Sequence, residues 1–140
     1  MKKSKKTLNN DLVLKKQYIK DLSFENPLSP NTISPDSDPE VNFNIELNVT
    51  TIKNDNHELN LKIKSDAKFK DQIIFLLELQ YAGVFSFNFQ QSDENKKTFV
   101  IEGAKILFPF ARSIIADITK DGGFNPLIIQ PFDFEQIYKP

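Results

Sequence analysis

The residue types from which catalysis is usually built are scarce in this chain. There is one histidine, His57, in the polar stretch "NDNHEL", and there is no cysteine. Without thiols the chain has no disulfide framework and no thiolate nucleophile. With a single imidazole it has no metal-ligand spacing either. A histidine in a polar turn reads as a solvent-exposed residue rather than a general base. Asp21 and Glu25 could imitate a carboxylate pair, but their spacing on one strand face reads as solvated surface. Gly122-Gly123 precedes no helix with a basic residue, so it is no phosphate loop. These residues predict no enzyme, no metal and no cofactor.

The chemistry the sequence does offer is apolar. Thirteen phenylalanines accompany no tryptophan and one methionine. Two stretches concentrate them: "LFPFAR", from Leu107 to Arg112, and "FNPLIIQPFDF", from Phe124 to Phe134. Such rings fit a buried core or a surface that holds other apolar chains. For Phe108, Phe110, Phe124, Leu127, Ile128 and Phe132 both readings stand.

The elements that must position these residues follow from periodicity. "QYIKDLSFENP" reads as a strand ending at Pro27, with Leu22 and Phe24 on one face and Asp21, Ser23 and Glu25 on the other. "NPLSPNTISPDSDPE" holds four prolines and reads as a crossover loop over about 26–40. In "VNFNIELNVTTIK", Val41, Phe43, Ile45, Leu47 and Val49 alternate with polar residues, the pattern of a half-buried strand. After the turn "NDNH", alternation resumes at Leu59, Leu61 and Ile63, with a break near Ser65-Asp66. From Ile73 to Leu77 both parities are apolar, so that strand covers something on both faces.

The second half changes period. Ser92 or Asp93 caps a short helix that Gly103 stops, and Pro109 suits the first turn of the next. Phe110, Ile114 and Ile118 form one apolar stripe with Leu107, Ala111 and Ile115, and "DGG" ends the helix. "DFEQIYKP" fits a short terminal helix. Strands first and helices after predict an α+β fold, an antiparallel sheet with helices on one face.

Composition bounds the rest. The chain has 140 residues, which suits one domain. Residues 1–16 are expected to be a flexible basic tail and 17–140 the single domain. A formal charge of -1 argues against a dedicated nucleic-acid binder. The basic start lacks the apolar run of a signal peptide, and no apolar stretch suits a membrane span. The absence of cysteine fits a reducing cytoplasm.

Taken in order, "KDLSFENP", the crossover ending in Pro39-Glu40-Val41, "GVFSF", "LFPFAR" and "GGFNPLIIQPFDF" resemble the motifs of the SecB family of protein-export chaperones. The resemblance covers about Tyr18 to Phe134. It implies a four-stranded antiparallel sheet with a long helix per subunit, assembled as a homotetramer, a dimer of dimers. It implies unfolded secretory precursors as clients and delivery to the motor ATPase SecA without nucleotide use. The SecA-binding positions it implies are Asp21, Glu25, Leu76 and Glu78, and the subunit-packing positions Leu77, Leu79 and Tyr81.

This chain departs from the family in two places. Ser37 stands where the family often carries a tryptophan, so an aromatic edge of the client groove is missing or supplied by Ile33. Many relatives also end in a longer polar tail that touches SecA, and the sequence here ends at Pro140. Two other classes fit the same fold: a chaperone of a toxin–antitoxin pair, and a small sheet domain enclosing a lipid-like ligand.

Overall fold

A computed structural model describes residues 12–88 and 92–138. Four strands come first: β1 (Val13–Glu25), β2 (Glu40–Lys53), β3 (Asn56–Phe69) and β4 (Gln72–Ser86). Two helices follow, α1 (Asp93–Asp121) and α2 (Phe134–Ile137). The strands form one antiparallel sheet in the order β1-β4-β3-β2, and the helices lie on one face of it. This is the α+β fold that the patterning predicts. Val13, Leu14 and Lys16, expected in the flexible tail, belong to β1 and pair with β4, while residues 1–11 of that tail lie outside the described residues.

The strands turn where the backbone allows it. Between β3 and β4, Lys70 and Asp71 take φ of 52° and 66° in succession. Two consecutive left-handed residues are what a tight hairpin needs, because that twist matches the twist of the flanking strands. The break expected at Ser65-Asp66 is absent. Ser65 sits buried within β3, and its Oγ donates to the Asn42 carbonyl at 3.0 Å. A polar side chain in mid-strand had found a main-chain partner rather than a turn.

A bulge explains the apolar run in β4. Ala67 faces Phe75 while Lys68 faces Ile73, so Ile74 is an extra residue on β4. Ile74 and Phe75 are therefore both buried although they are neighbours.

The helical half corrects the reading most. Residues 93–121 make one helix, not two. Ser92 caps it, its side chain accepting from the Asn95 N–H at 3.3 Å. Gly103 does not stop it: a Cβ there would lie 2.7 Å from Leu59 Cδ2, so the glycine lets helix and sheet approach. Pro109 lies inside the helix and removes one main-chain donor. Pro109 and Lys105, whose carbonyl loses that donor, are both exposed, so water can satisfy the acceptor.

The buried stripe of α1 is Ala104, Leu107, Phe108, Ala111, Ile115 and Thr119. It is rotated from the expected one, and Phe110 is 47% exposed on its flank. Against it pack Leu59, Leu61, Ile63, Leu79 and Phe85, all fully buried. Each such side chain stabilises the fold by roughly 1.5–3 kcal/mol relative to exposure.

His57 is also not the exposed turn residue its neighbours suggest; it is 4% exposed. Its Nδ1 lies 3.0 Å from Thr51 Oγ1 and its Nε2 2.9 Å from the Phe87 carbonyl. It joins the β2–β3 hairpin to the end of β4, and its ring stands edge-on to Phe99.

Candidate functional site

Two surfaces gather the candidate residues. The first is a groove of about 450 Å³ between the crossover loop and the segment after α1. Ile33, Ser37 and Val41 line one side, Phe124 and Leu127 the other, and Ile74 and Phe75 the floor. Its end continues toward Leu28 and Thr32. The floor is held by packed rings: Phe24 stacks on Phe75 at 5.7 Å, Phe75 lies tilted to Phe124 at 5.3 Å, and Phe24 meets Phe124 edge-on at 6.2 Å.

Both walls are tied to the last turn of α1. Asn26 Nδ2 donates to the Gly122 carbonyl at 3.2 Å, which fixes the start of the crossover. Gly122 has ordinary right-handed φ, but a Cβ there would fall 2.2 Å from the Phe24 ring. Gly123 takes φ of 97° and turns the chain back over the sheet. The Phe124 N–H then donates to the Thr119 carbonyl at 3.0 Å, and the Leu127 N–H to Thr119 Oγ1 at 2.9 Å.

The groove collects three of the seven residues expected there: Ile33, Phe124 and Leu127. Phe108 and Phe132 belong to a separate cluster, with ring centroids 5.7 Å apart, that also takes in Phe43 and Phe134. Phe110 stacks on Tyr81 at 6.3 Å, and Ile128 stands 60% exposed, away from the groove. Ile74 and Phe75 were missing from the expected set. The signal for them was the run of apolar residues at both parities. Ser37, at the position where an aromatic edge was expected, does line the groove, and Ile33 lines it beside Phe124.

The second surface is the sheet face turned away from α1. Strand pairing places Glu25, Leu76 and Asp66 in one row, Ser23, Glu78 and Lys64 in the next, and Asp21, Gln80 and Lys62 in the third. Directly paired residues share a face. Asp21, Glu25, Leu76 and Glu78 therefore meet on one surface, although they come from two strands. Leu76 is 36% exposed among carboxylates, and Glu78 pairs with Lys64 at 3.9 Å.

Further along the same face Glu58 accepts from Lys20 Nζ at 2.7 Å and from the Tyr18 hydroxyl at 2.5 Å. Burial pushes the Glu58 carboxyl up, but those two hydrogen bonds and the Lys20 charge outweigh it and hold the group below its usual range. Tyr18 is pushed up to about 12 by burial first, then by the hydrogen bond to Glu58 and its charge.

Leu77, Leu79 and Tyr81, expected at a subunit interface, do not lie open. They are 3%, 0% and 6% exposed beneath α1 and its neighbours, because their parity is that of Gly83 and Phe85. The apolar residues that do lie open near Tyr81 are Phe110 and, directly paired with Tyr81 on β1, Ile19 at 47% exposure. No helix among the described residues is long and apolar enough to cross a membrane.

Known proteins resemble this chain in sequence and in fold. The family model described as preprotein translocase subunit SecB matches residues 5–140. The protein-export protein SecB of Parvibaculum lavamentivorans is 44% identical over 123 residues, covering 87% of this chain and 73% of the relative. That of Paramagnetospirillum magneticum is 41% identical over 125 residues, covering 88% and 80%. Among solved structures, a SecB-like chaperone of Mycobacterium tuberculosis, in complex with a peptide from an antitoxin, superimposes with a TM-score of 0.74 over 89% of this chain and 93% of that one. At 12% identity that likeness is one of fold.

Proposed function

This chain belongs to the SecB family of protein-export chaperones, and from that premise we propose that it holds unfolded secretory precursors in the cytoplasm and hands them to SecA. The observation that carries the reading is the groove beside Phe75 and Phe124, open to solvent and lined by apolar side chains together with Ser34, Ser37, Asp38 and Asn125. An unfolded precursor offers the same kind of groups. Burying one Phe or Leu contributes roughly 1.5–3 kcal/mol before ordering costs. Several such grooves on one assembly act together through effective concentration. Folded proteins hide these groups, so binding selects chains that fold slowly. The unpaired edges of β1 and β2 add main-chain pairing for an extended client.

The polar sheet face is the proposed dock for SecA. Asp21, Glu25 and Glu78 surround Leu76, which suits a basic partner surface with an apolar centre. Docking of this kind is fast and weakens with salt. In the proposed tetramer, Ile19 and Phe110 meet a second subunit. Leu77, Leu79 and Tyr81 act on assembly through the packing of α1. The names carried by relatives at about two-fifths identity favour export over the antitoxin role.

Light scattering of the native protein, with and without a slow-folding precursor held unfolded, tests this reading. The expected particle has about four subunits, gains a client chain and ignores the folded form. A monomer that gains nothing would overturn the reading and leave a ligand-binding sheet domain.

A further inference from the structure

Thr119 is fully buried in the last turn of α1, and both bonded N–H groups of the groove's C-terminal wall end on it. Its carbonyl accepts from Phe124 at 3.0 Å and its Oγ1 accepts from Leu127 at 2.9 Å. The hydroxyl proton is committed too, shared between the Ile115 carbonyl at 2.9 Å and the Ala116 carbonyl at 3.1 Å. The wall itself, residues 124–133, has no helix or strand to hold it. Its conformation therefore depends on side-chain packing, through Phe124, Ile129 and Phe132, and on a few specific bonds rather than on a repeating ladder. Phe124, Pro126 and Leu127 are the wall's apolar contributions to the groove.

We propose that Thr119 is a positioning residue for client binding: its side-chain oxygen fixes the Leu127 main chain and so sets the separation of the wall from Ile33 and Ser37 across the groove. This rests on the groove being the client site. The chemistry is specific to a side-chain hydroxyl at this position. Valine would fill the same space and leave the Leu127 N–H with no acceptor in a partly buried place, a loss that outweighs the worth of an ordinary hydrogen bond. The wall would then release that N–H to water, and the pocket for a client side chain would lose its fixed width. A groove that must be reshaped at each binding event binds more weakly, because ordering it opposes association.

The test uses the whole chain and a permanently unfolded probe, reduced and carboxymethylated α-lactalbumin. Thr119→Val should weaken probe binding about fivefold to tenfold, and Thr119→Ser, which keeps the oxygen, should restore most of it. Native mass and SecA affinity serve as controls for the fold and should stay unchanged in both variants. Phe124→Ala separates the inference from its premise. If Phe124→Ala weakens probe binding and Thr119→Val does not, Thr119 is not a positioning residue and the groove reading survives. If neither variant weakens it, the groove reading falls and the inference falls with it. Should Thr119→Val fail to fold, amide exchange on the unmodified protein decides. The Leu127 amide should exchange slowly in the free protein and more slowly with the probe bound. An unprotected Leu127 amide would overturn the proposal.

Discussion

The two candidate surfaces lie on opposite sides of one sheet and are built by different means. On the polar face, Asp21, Glu25, Leu76 and Glu78 sit where strand register puts them, and the ladder of main-chain bonds fixes their mutual spacing. In the groove, Ile33, Phe124 and Leu127 come from irregular segments, held by ring packing, a glycine with no room for a Cβ, and side-chain hydrogen bonds from Asn26 and Thr119. A regular ladder suits a dock that must present fixed charges. Irregular walls suit a site that meets many different apolar side chains. The same difference decides how each surface should respond to mutation.

The core beneath both should respond most. Leu79 is fully buried between sheet and helix. Leu79→Ala should cost about 2–5 kcal/mol in chemical denaturation. Because the core supports both surfaces, probe binding and SecA docking should fall together only as the unfolded fraction rises. A selective loss of one activity would break the comparison at its root.

Next comes the groove. Gly122→Ala puts a methyl group into the Phe24 ring, which is packed against Phe75 and Phe124. The expected cost is about 1–3 kcal/mol, with unfolded-probe affinity lost and SecA affinity kept. Equal loss of both would mean that the groove and the polar face are not mechanically separate.

Reversing charge on the polar face should leave stability almost untouched. Asp21→Lys with Glu78→Lys changes side chains that are not buried, and exposed substitutions usually stay within about 0.5 kcal/mol. SecA affinity at low salt should drop at least about tenfold, and the gap should narrow as salt screens the face. A salt-independent loss would point to a misplaced Leu76 rather than to charge.

The smallest effect concerns Glu58. Its carboxyl titrates lower in the folded protein than its ordinary value of 4.5. The stability this gives is present above that ordinary value and is lost as pH falls through the lower folded value. Glu58→Gln should therefore be less stable than the native chain at neutral pH and should match it in acid. A constant difference across the acid range in thermal melts would show that Lys20 and Tyr18 do not favour the carboxylate.

Much of the polar face was legible in the sequence. Strand parity alone puts Asp21 and Glu25 together, and Leu76 with Glu78. That the two pairs meet on one face needed the pairing of β1 with β4, which no local pattern encodes. β2 was legible from Val41 to Val49 because one face is half-buried and the other polar. The crossover was legible because its prolines cannot donate to a ladder.

The failures share a cause: a local signal overridden by a distant contact. Gly103 looks like a helix stop, but the close approach of Leu59 requires it within the helix. Ser65 looks like a turn residue, but the Asn42 carbonyl on β2 takes its hydroxyl. His57 looks exposed among polar neighbours, but Phe87 and Thr51 enclose it. Leu79 and Tyr81, which the family resemblance places at subunit packing, are covered within a single subunit by α1, which strand parity alone does not show. The groove was half legible for the same reason: Phe-rich stretches announce apolar contact, not which rings face each other.

The account rests on the two surfaces being separable, and one crossed measurement tests this most directly. Phe124→Ala and the Asp21→Lys, Glu78→Lys double variant would each be titrated with unfolded α-lactalbumin and with SecA, at low and moderate salt. The account predicts that Phe124→Ala loses only the unfolded chain and the double variant loses only SecA, with salt affecting the second pair alone. If either variant loses both ligands while keeping its native mass and melting temperature, the two surfaces are one site and the account is wrong.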